Sequence, residues 1–268
     1  VADDKYTVHG LARFREHFAG FTDQYVLIGG IAASITMAEA GDEFRPTRDL
    51  DIVLMVEAIT PDFVRSFWEF VRAGQYEIQH KTDSTPILFR FEKPSREDYP
   101  FQLELFSRKP DGVELPSDVH LTPITVDDSV SNLSAILLDE TYYQFVVDGR
   151  RRGDGLVWIG EDRLIPLKAS AWLDMTDRVR DGATIDSKNI RKHAVDVLRL
   201  SRVLTEESRI ELPRQVAADL ERFLDAQQQS GALQQRAIEL GGASLGDVCD
   251  RIRRAFGLVH QAPAGNRS

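Results

Sequence analysis

The chain has 268 residues, 43 acidic against 33 basic side chains, and a formal net charge of −10. That length supports one large or two modest domains, and the charge argues against a protein coated in nucleic acid while leaving room for a local basic groove. The single cysteine, Cys249, excludes an internal disulfide and a cysteine-based metal cluster. No apolar run approaches the roughly 18 residues that span a bilayer. The first residues are acidic and polar, unlike a secretory signal. The expected location is the cytoplasm, with no membrane partner.

In chain order, Val8, Leu11, Phe14 and Phe18 predict a helix over 6–19. Residues 24–28 read as a short buried strand ended by Gly29 and Gly30. The small residues of 31–40 read as a tightly packing helix that stops at Gly41. A strand follows over 49–56. Thr60 is placed as an N-cap with Pro61 at the first helical position, opening a helix that ends at Gly74. Phe63, Phe67 and Phe70 form its core face, with Trp68 at the edge. Strands are expected over 76–81, 86–92 and 101–107. Residues 128–149 read as a helix in which Tyr142 and Tyr143 pack, and 156–167 as a hairpin turning near Gly160-Glu161-Asp162. Helices are expected over 166–180, 187–204, 213–229 and 244–256, with a short piece between the last two and a frayed tail over 258–268. The expected organisation is an α/β domain over 1–127, a mixed sheet with flanking helices, then a mainly helical domain over 128–268.

The chemistry-bearing residues start with Asp-Leu-Asp at the head of the 49–56 strand. Side chains alternate along a strand, so Asp49 and Asp51 share a face about 7 Å apart, while Leu50, Ile52 and Leu54 point the other way. Carboxylates so placed repel unless a cation lies between them, and a hard cation such as Mg²⁺ takes oxygen ligands together with substrate phosphates. In the 101–107 strand, Glu104 shares a face with Gln102 and Phe106. If the two strands are neighbours, Glu104 is a third carboxylate, a set suited to two metal ions and phosphoryl or nucleotidyl transfer. An isolated Asp-x-Asp is common, and a solvated strand face explains it equally well. The context adds weight. Gly29-Gly30 lies between a strand and a helix, where glycines admit a phosphate to the backbone and the helix start offers N–H groups and a positive dipole end.

The stretch Leu27-Ile-Gly-Gly-Ile-Ala-Ala-Ser-Ile, followed by Arg45-Pro-Thr-Arg-Asp-Leu-Asp, resembles the nucleotidyltransferase superfamily that includes DNA polymerase β. It is most similar to the abortive-infection toxin branch (AbiEii/AbiGii type). The resemblance implies that Asp49 and Asp51 hold the metals; with Glu104, inferred from the strand pattern, they make a site for two Mg²⁺ ions. It implies that Gly29, Gly30, Arg45 and Thr47 bind the NTP. Gly30 stands where many superfamily members have serine, so only its backbone is on offer. Later motifs carry over to Lys168, as a point charge on nucleotide phosphates, and Asp196, which orients that lysine or positions the acceptor. The family's lysine-aspartate pair reads Lys192-His193 here, and no role passes to His193. The implied activity is transfer of NMP to an acceptor, RNA or a tRNA 3′ end, by a toxin relieved by a partner antitoxin.

Blander accounts stand beside these. Lys168 reads equally as a surface lysine, and Asp196 as a solvated residue paired with Lys192 four positions earlier. Lys188, Arg191, Lys192, Arg199 and Arg202 form either a solvated face or an RNA contact, as do Arg150 to Arg152. Two alternative functions share the fold: an antibiotic-modifying nucleotidyltransferase with an acidic pocket for a cationic drug, and a non-catalytic nucleotide-binding or interaction module. The six histidines show no metal-ligand spacing, and no Walker loop or dinucleotide fingerprint is present.

Overall fold

The computed structural model describes residues 8–47, 49–55, 58–78, 88–106, 136–137 and 139–258. By its internal contacts the chain divides into two units, Val1–Leu164 and Ile165–Ser268.

The first unit is built on a mixed sheet. Its elements are α1 (Leu11–Phe18), a 3-10 turn (Ala19–Phe21), β1 (Tyr25–Leu27), α2 (Gly29–Glu39), β2 (Asp49–Leu54), α3 (Pro61–Gly74), β3 (Glu77–Ile78), β4 (Leu88–Glu92), β5 (Gln102–Phe106), α4 (Glu140–Asp148), β6 (Arg150–Gly153) and β7 (Leu156–Ile159). Among the described residues the strand order is β3-β4-β5-β2-β1-β7-β6, with β2–β5 and β1–β7 parallel and the other pairs antiparallel. Partners in register share a face, so Tyr25, Leu27, Leu50, Ile52, Leu54, Leu103, Leu105 and Phe91 lie on one side. That side carries an aromatic cluster from α1 and α3: Phe14 meets Tyr25 edge-on at 5.2 Å and Phe67 meets Phe91 at 5.6 Å. Such pairs add about 0.5–1.5 kcal/mol each beyond the area they bury. Phe63, Phe67, Phe70 and Trp68 are all buried. Thr60 caps α3 by accepting from the Phe63 N–H at 3.3 Å, with Pro61 at the helix start. On the opposite face, α2 carries small and apolar residues on more than one side and is buried along most of its length. Ile31, Ala32, Ala33, Ile35 and Met37 are fully buried.

The hairpin is one turn earlier than expected. Asp154 and Gly155, with φ of 50° and 74°, join β6 to β7; positive φ at both central residues is the signature of a type I′ turn. Gly160 is the entry to a helix instead: its carbonyl accepts from the N–H groups of Arg163 and Leu164 at 3.1 and 2.8 Å. Leu164, Ile165 and Leu167, read above as a second strand, are buried on that helix, α5 (Glu161–Arg180). Because β7 pairs with β1, the hairpin belongs to the sheet. By internal contacts the chain divides after Leu164, inside α5; the expected boundary at 127/128 lies outside the described residues. Pro166, one turn into α5, has no N–H to give to the carbonyl of Asp162. The helix expected over 128–149 is also shorter. Asp139, extended at φ −72°, ψ 128°, caps α4 by accepting from the N–H groups of Thr141 and Tyr142. Most of the expected helix before it, and the tail over 259–268, lie outside the described residues. Gly155→Ala places a Cβ only 3.5 Å from the Arg15 Cγ, an ordinary contact, so its cost is the left-handed backbone alone. A loss of about 1–2 kcal/mol is expected in urea denaturation.

The second unit is helical. After α5 come α6 (Ser187–Leu200), a 3-10 turn (Ser201–Val203), α7 (Arg214–Ser230), α8 (Gln234–Gly241) and α9 (Leu245–Ala255). Trp172 packs edge-on against Phe223 at 5.4 Å. Arg253, 4 % exposed, ties α9 to α7 by donating to Glu221, Asp225 and Gln228 at 2.7, 2.8 and 2.9 Å. Cys249 is buried beside it, and desolvation pushes its thiol up to about 11. No helix among the described residues is long and apolar enough to cross a membrane.

Candidate active site

β2 carries the acids to the side of the sheet away from the aromatic cluster. Leu50 and Ile52 are buried at 0 % and 2 % exposure, while Asp49 and Asp51 are half-buried. The parallel register sets Asp49 opposite Gln102 and Asp51 opposite Glu104. Neighbouring strands run about 4.8 Å apart, and alternate residues along a strand about 7 Å. Asp49, Asp51 and Glu104 therefore project from one small patch, as the strand pattern requires once β2 and β5 are neighbours. Glu104 is 4 % exposed, and its Oε1 accepts from the Gln102 Nε2 at 2.6 Å.

The two glycines behave differently from expectation. Gly29 does not merely end β1; it is the first residue of α2, at φ +67°. The Ile28 N–H donates to the Asp51 carbonyl at 3.0 Å, which draws the turn onto β2. A Cβ on Gly29 would overlap the Asp51 Oδ2, and one on Gly30 would overlap the Thr47 Oγ1. The backbone thus admits the chain's own carboxylate and hydroxyl. The Asp51 carboxylate sits at the positive end of α2, where a negative charge is favoured, and the N-cap Ile28 supplies no side-chain acceptor for the first N–H groups of the helix. Arg45 is not drawn to the glycines by any of its described contacts: its guanidinium lies 5.3 Å from the Phe44 ring centroid, and its Nη1 donates to the Pro46 carbonyl at 3.4 Å.

The donor chemistry of the patch fits a hard cation, since all three groups offer carboxylate oxygens. The three are not gathered, however. Among the described residues no group of three or more His, Cys, Asp or Glu side chains lies close enough to hold a metal ion. The Glu104 Oε1 accepts from the Gln102 amide, and the Asp51 Oδ2 lies against the start of α2.

In the helical unit, Lys168 from α5 and Asp196 from α6 are brought together. Lys168 is 1 % exposed and Asp196 0 %, and the Lys168 Nζ donates to Asp196 Oδ2 at 2.9 Å. The surface readings of both residues are overturned, as is the Lys192 pairing: Lys192 is exposed, and Asp196 Oδ1 instead accepts from the Arg199 Nη1 at 3.3 Å. Arg199 thereby leaves the exposed basic set formed by Lys188, Arg191, Lys192 and Arg202. The triple arginine is a strand engaged locally. Arg150 donates to the Val147 carbonyl, Arg151 to Glu161 and Asp162, and Arg152 to Asp23. Gln102 and Arg199 are the two positions whose part in the site was not foreseen. Each had a signal: Gln102 shares the Glu104 face, and Arg199 lies three residues beyond Asp196.

No protein-family model and no curated protein sequence matches the chain. Among solved structures, it is similar to a crystal structure of an antigenic nucleotidyltransferase-like protein from Paracoccidioides brasiliensis. The TM-score is 0.46 at 16 % identity, covering 89 % of this chain and 94 % of that one.

Proposed function

We propose that the chain is a nucleotidyltransferase that moves NMP from an NTP to an acceptor hydroxyl. The observation that carries this is the meeting of Asp51, opposite Glu104 in register, with the glycine start of α2. It sets acidic oxygens beside a helix N-terminus, the surroundings that nucleotidyl transfer from a triphosphate substrate needs. Asp49, Asp51 and Glu104 would hold Mg²⁺, which supplies positive charge against the phosphate oxygens. The first N–H groups of α2 donate to the triphosphate. The acceptor oxygen bonds to the α-phosphorus in line, the bond to the bridging oxygen breaks, pyrophosphate leaves, and a carboxylate of the patch takes the hydroxyl proton. Lys168 is assigned to the nucleotide phosphates on resemblance, with Asp196 fixing its ammonium. An RNA or tRNA acceptor, and a toxin held in check by an antitoxin, follow from the same resemblance.

The test uses purified protein, each labelled NTP, Mg²⁺ and total cellular RNA. Label transfer to RNA is expected, with a loss of at least about 100-fold in Asp49→Asn/Asp51→Asn, the scale of removing one electrostatic element of an active site. A folded wild type that labels no acceptor sinks the reading. Growth arrest on induction supports the toxin; protection from aminoglycosides in its place moves the acceptor to a small molecule.

A further inference from the structure

A cavity of about 220 Å³ opens in the helical unit where the segment after the 201–203 turn meets α9. Its lining includes Leu204, Arg209, Arg251 and Arg254, with Glu206 and Asp247 as its acids. Three guanidinium groups on one small concavity call for a cause in a chain of net charge −10. Arg178, Arg180, Arg199, Arg222, Arg236 and Arg253 of the same unit are all in ion pairs. Among the described residues, the cavity's three arginines form none: Arg209 and Arg251 bond to carbonyls only.

Helix capping does not account for them. The last carbonyls of α9 are already taken: Ile252 by the Phe256 N–H, Arg253 by Leu258, Arg254 by Gly257 and Ala255 by Ile210. Asp247 is engaged at the other end of α9, where its Oδ2 accepts from the N–H and hydroxyl of Ser244 at 3.1 and 2.7 Å. The walls are held in place. The Arg209 Nη1 donates to the Glu206 and Ser208 carbonyls, both at 2.7 Å, the Thr205 N–H donates to Ser208 Oγ at 3.0 Å, and Ile210 is pinned to Ala255 at 2.8 Å. Each guanidinium has five N–H donors in a rigid fork, so most donors remain for a ligand. The lining carries three cations and two carboxylates, and Glu207, held below the usual carboxylate range by its own backbone N–H and in part by Arg209, stands beside it.

We infer that this cavity is an oxyanion site that takes a phosphate group, carried by a free phosphate compound or by a polynucleotide backbone. Arginine forks match phosphate oxygens two at a time, and walls set in advance lower the ordering cost of binding. The inference does not rest on the carboxylate patch, and its test runs in EDTA so that Mg²⁺-dependent binding there is removed. The probes are inorganic pyrophosphate, by calorimetry, and a labelled 12-nucleotide single-stranded RNA, by anisotropy. Wild type is expected to bind at least one. Arg209→Gln/Arg254→Gln weakens it about tenfold or more, and for RNA it lowers the salt slope by about 1.4. Arg254→Gln alone, which breaks no internal bond, gives part of the loss if the double variant folds poorly. Arg180→Gln, outside the cavity, leaves binding unchanged. Pyrophosphate alone retained by wild type identifies a free phosphate ligand; RNA alone identifies the backbone. Binding of neither probe, equal binding by wild type and the Gln variants, or an equal loss in Arg180→Gln overturns the site.

Discussion

Gly29→Ala is expected to abolish nucleotidyl transfer and to destabilise the α/β unit by about 2–5 kcal/mol, the sum of a left-handed backbone cost and an overpacking cost. The two parts are separable. An alanine at φ +67° is strained whatever surrounds it. Its methyl group would also overlap the Asp51 Oδ2, so either the carboxylate or the β2 backbone must move. Removing the Asp51 side chain should recover the steric part and leave the backbone part. In a cycle of Gly29→Ala, Asp51→Ala and the double variant, read by urea denaturation through Trp68 and Trp158, the pair should couple by about 1–3 kcal/mol. Strict additivity of the two variants contradicts the close approach of turn and carboxylate.

The second large effect is expected in the helical unit. Asp196→Asn keeps the shape but removes the carboxylate that accepts from the Lys168 ammonium, which is buried at 1 % exposure. Losing one member of a buried pair costs about 3–5 kcal/mol, whereas replacing both members by apolar groups of similar volume is often neutral. Lys168→Met/Asp196→Leu should therefore regain most of the stability that Asp196→Asn loses, measured by urea denaturation followed at Trp172. The same double variant separates two uses of the pair. If Lys168 and Asp196 serve only to hold α5 on α6, the apolar pair transfers nucleotide normally; if they serve the substrate, it is stable and inactive.

Local signals carried much of the fold. Thr60 and Pro61 marked the start of α3 because a cap and a fixed φ act within one turn of chain. Alternation of Leu50 and Ile52 with Asp49 and Asp51 separated the two faces of β2 before its neighbours were known. The hairpin was misplaced because Leu156-Val-Trp-Ile and Leu164-Ile-Pro-Leu flank Gly160 like two strands, while the true turn, Asp154-Gly155, follows three arginines that carry no apolar pattern. Those arginines hide a strand in which Arg151 is met by Glu161 and Asp162, beyond the turn, and Arg152 by Asp23, far away in sequence. At the site, residue types were legible and partners were not. Nothing local tells that Gly29 faces Asp51, that Glu104 lies opposite it, or that Lys168 and Asp196 meet across two helices, since each depends on strand register or helix packing.

The parallel pairing of β1 with β7 bears on how the chain is made. Leu27 lies beside Trp158, so the middle of the sheet joins segments separated by some 130 positions. During synthesis from the N-terminus, β1, β2 and their helices emerge long before the strand that completes them. In that interval Tyr25-Val-Leu presents an unpaired, fully apolar edge, the kind of surface that recruits other chains. Contacts of such long sequence separation also slow folding, because a large loop must close before any of them forms. Ribosomal transit to the end of β7 is thus a vulnerable phase for the nascent chain, and the arginine-rich β6, the outer strand among the described residues, gives that side of the sheet a charged rim that resists further pairing.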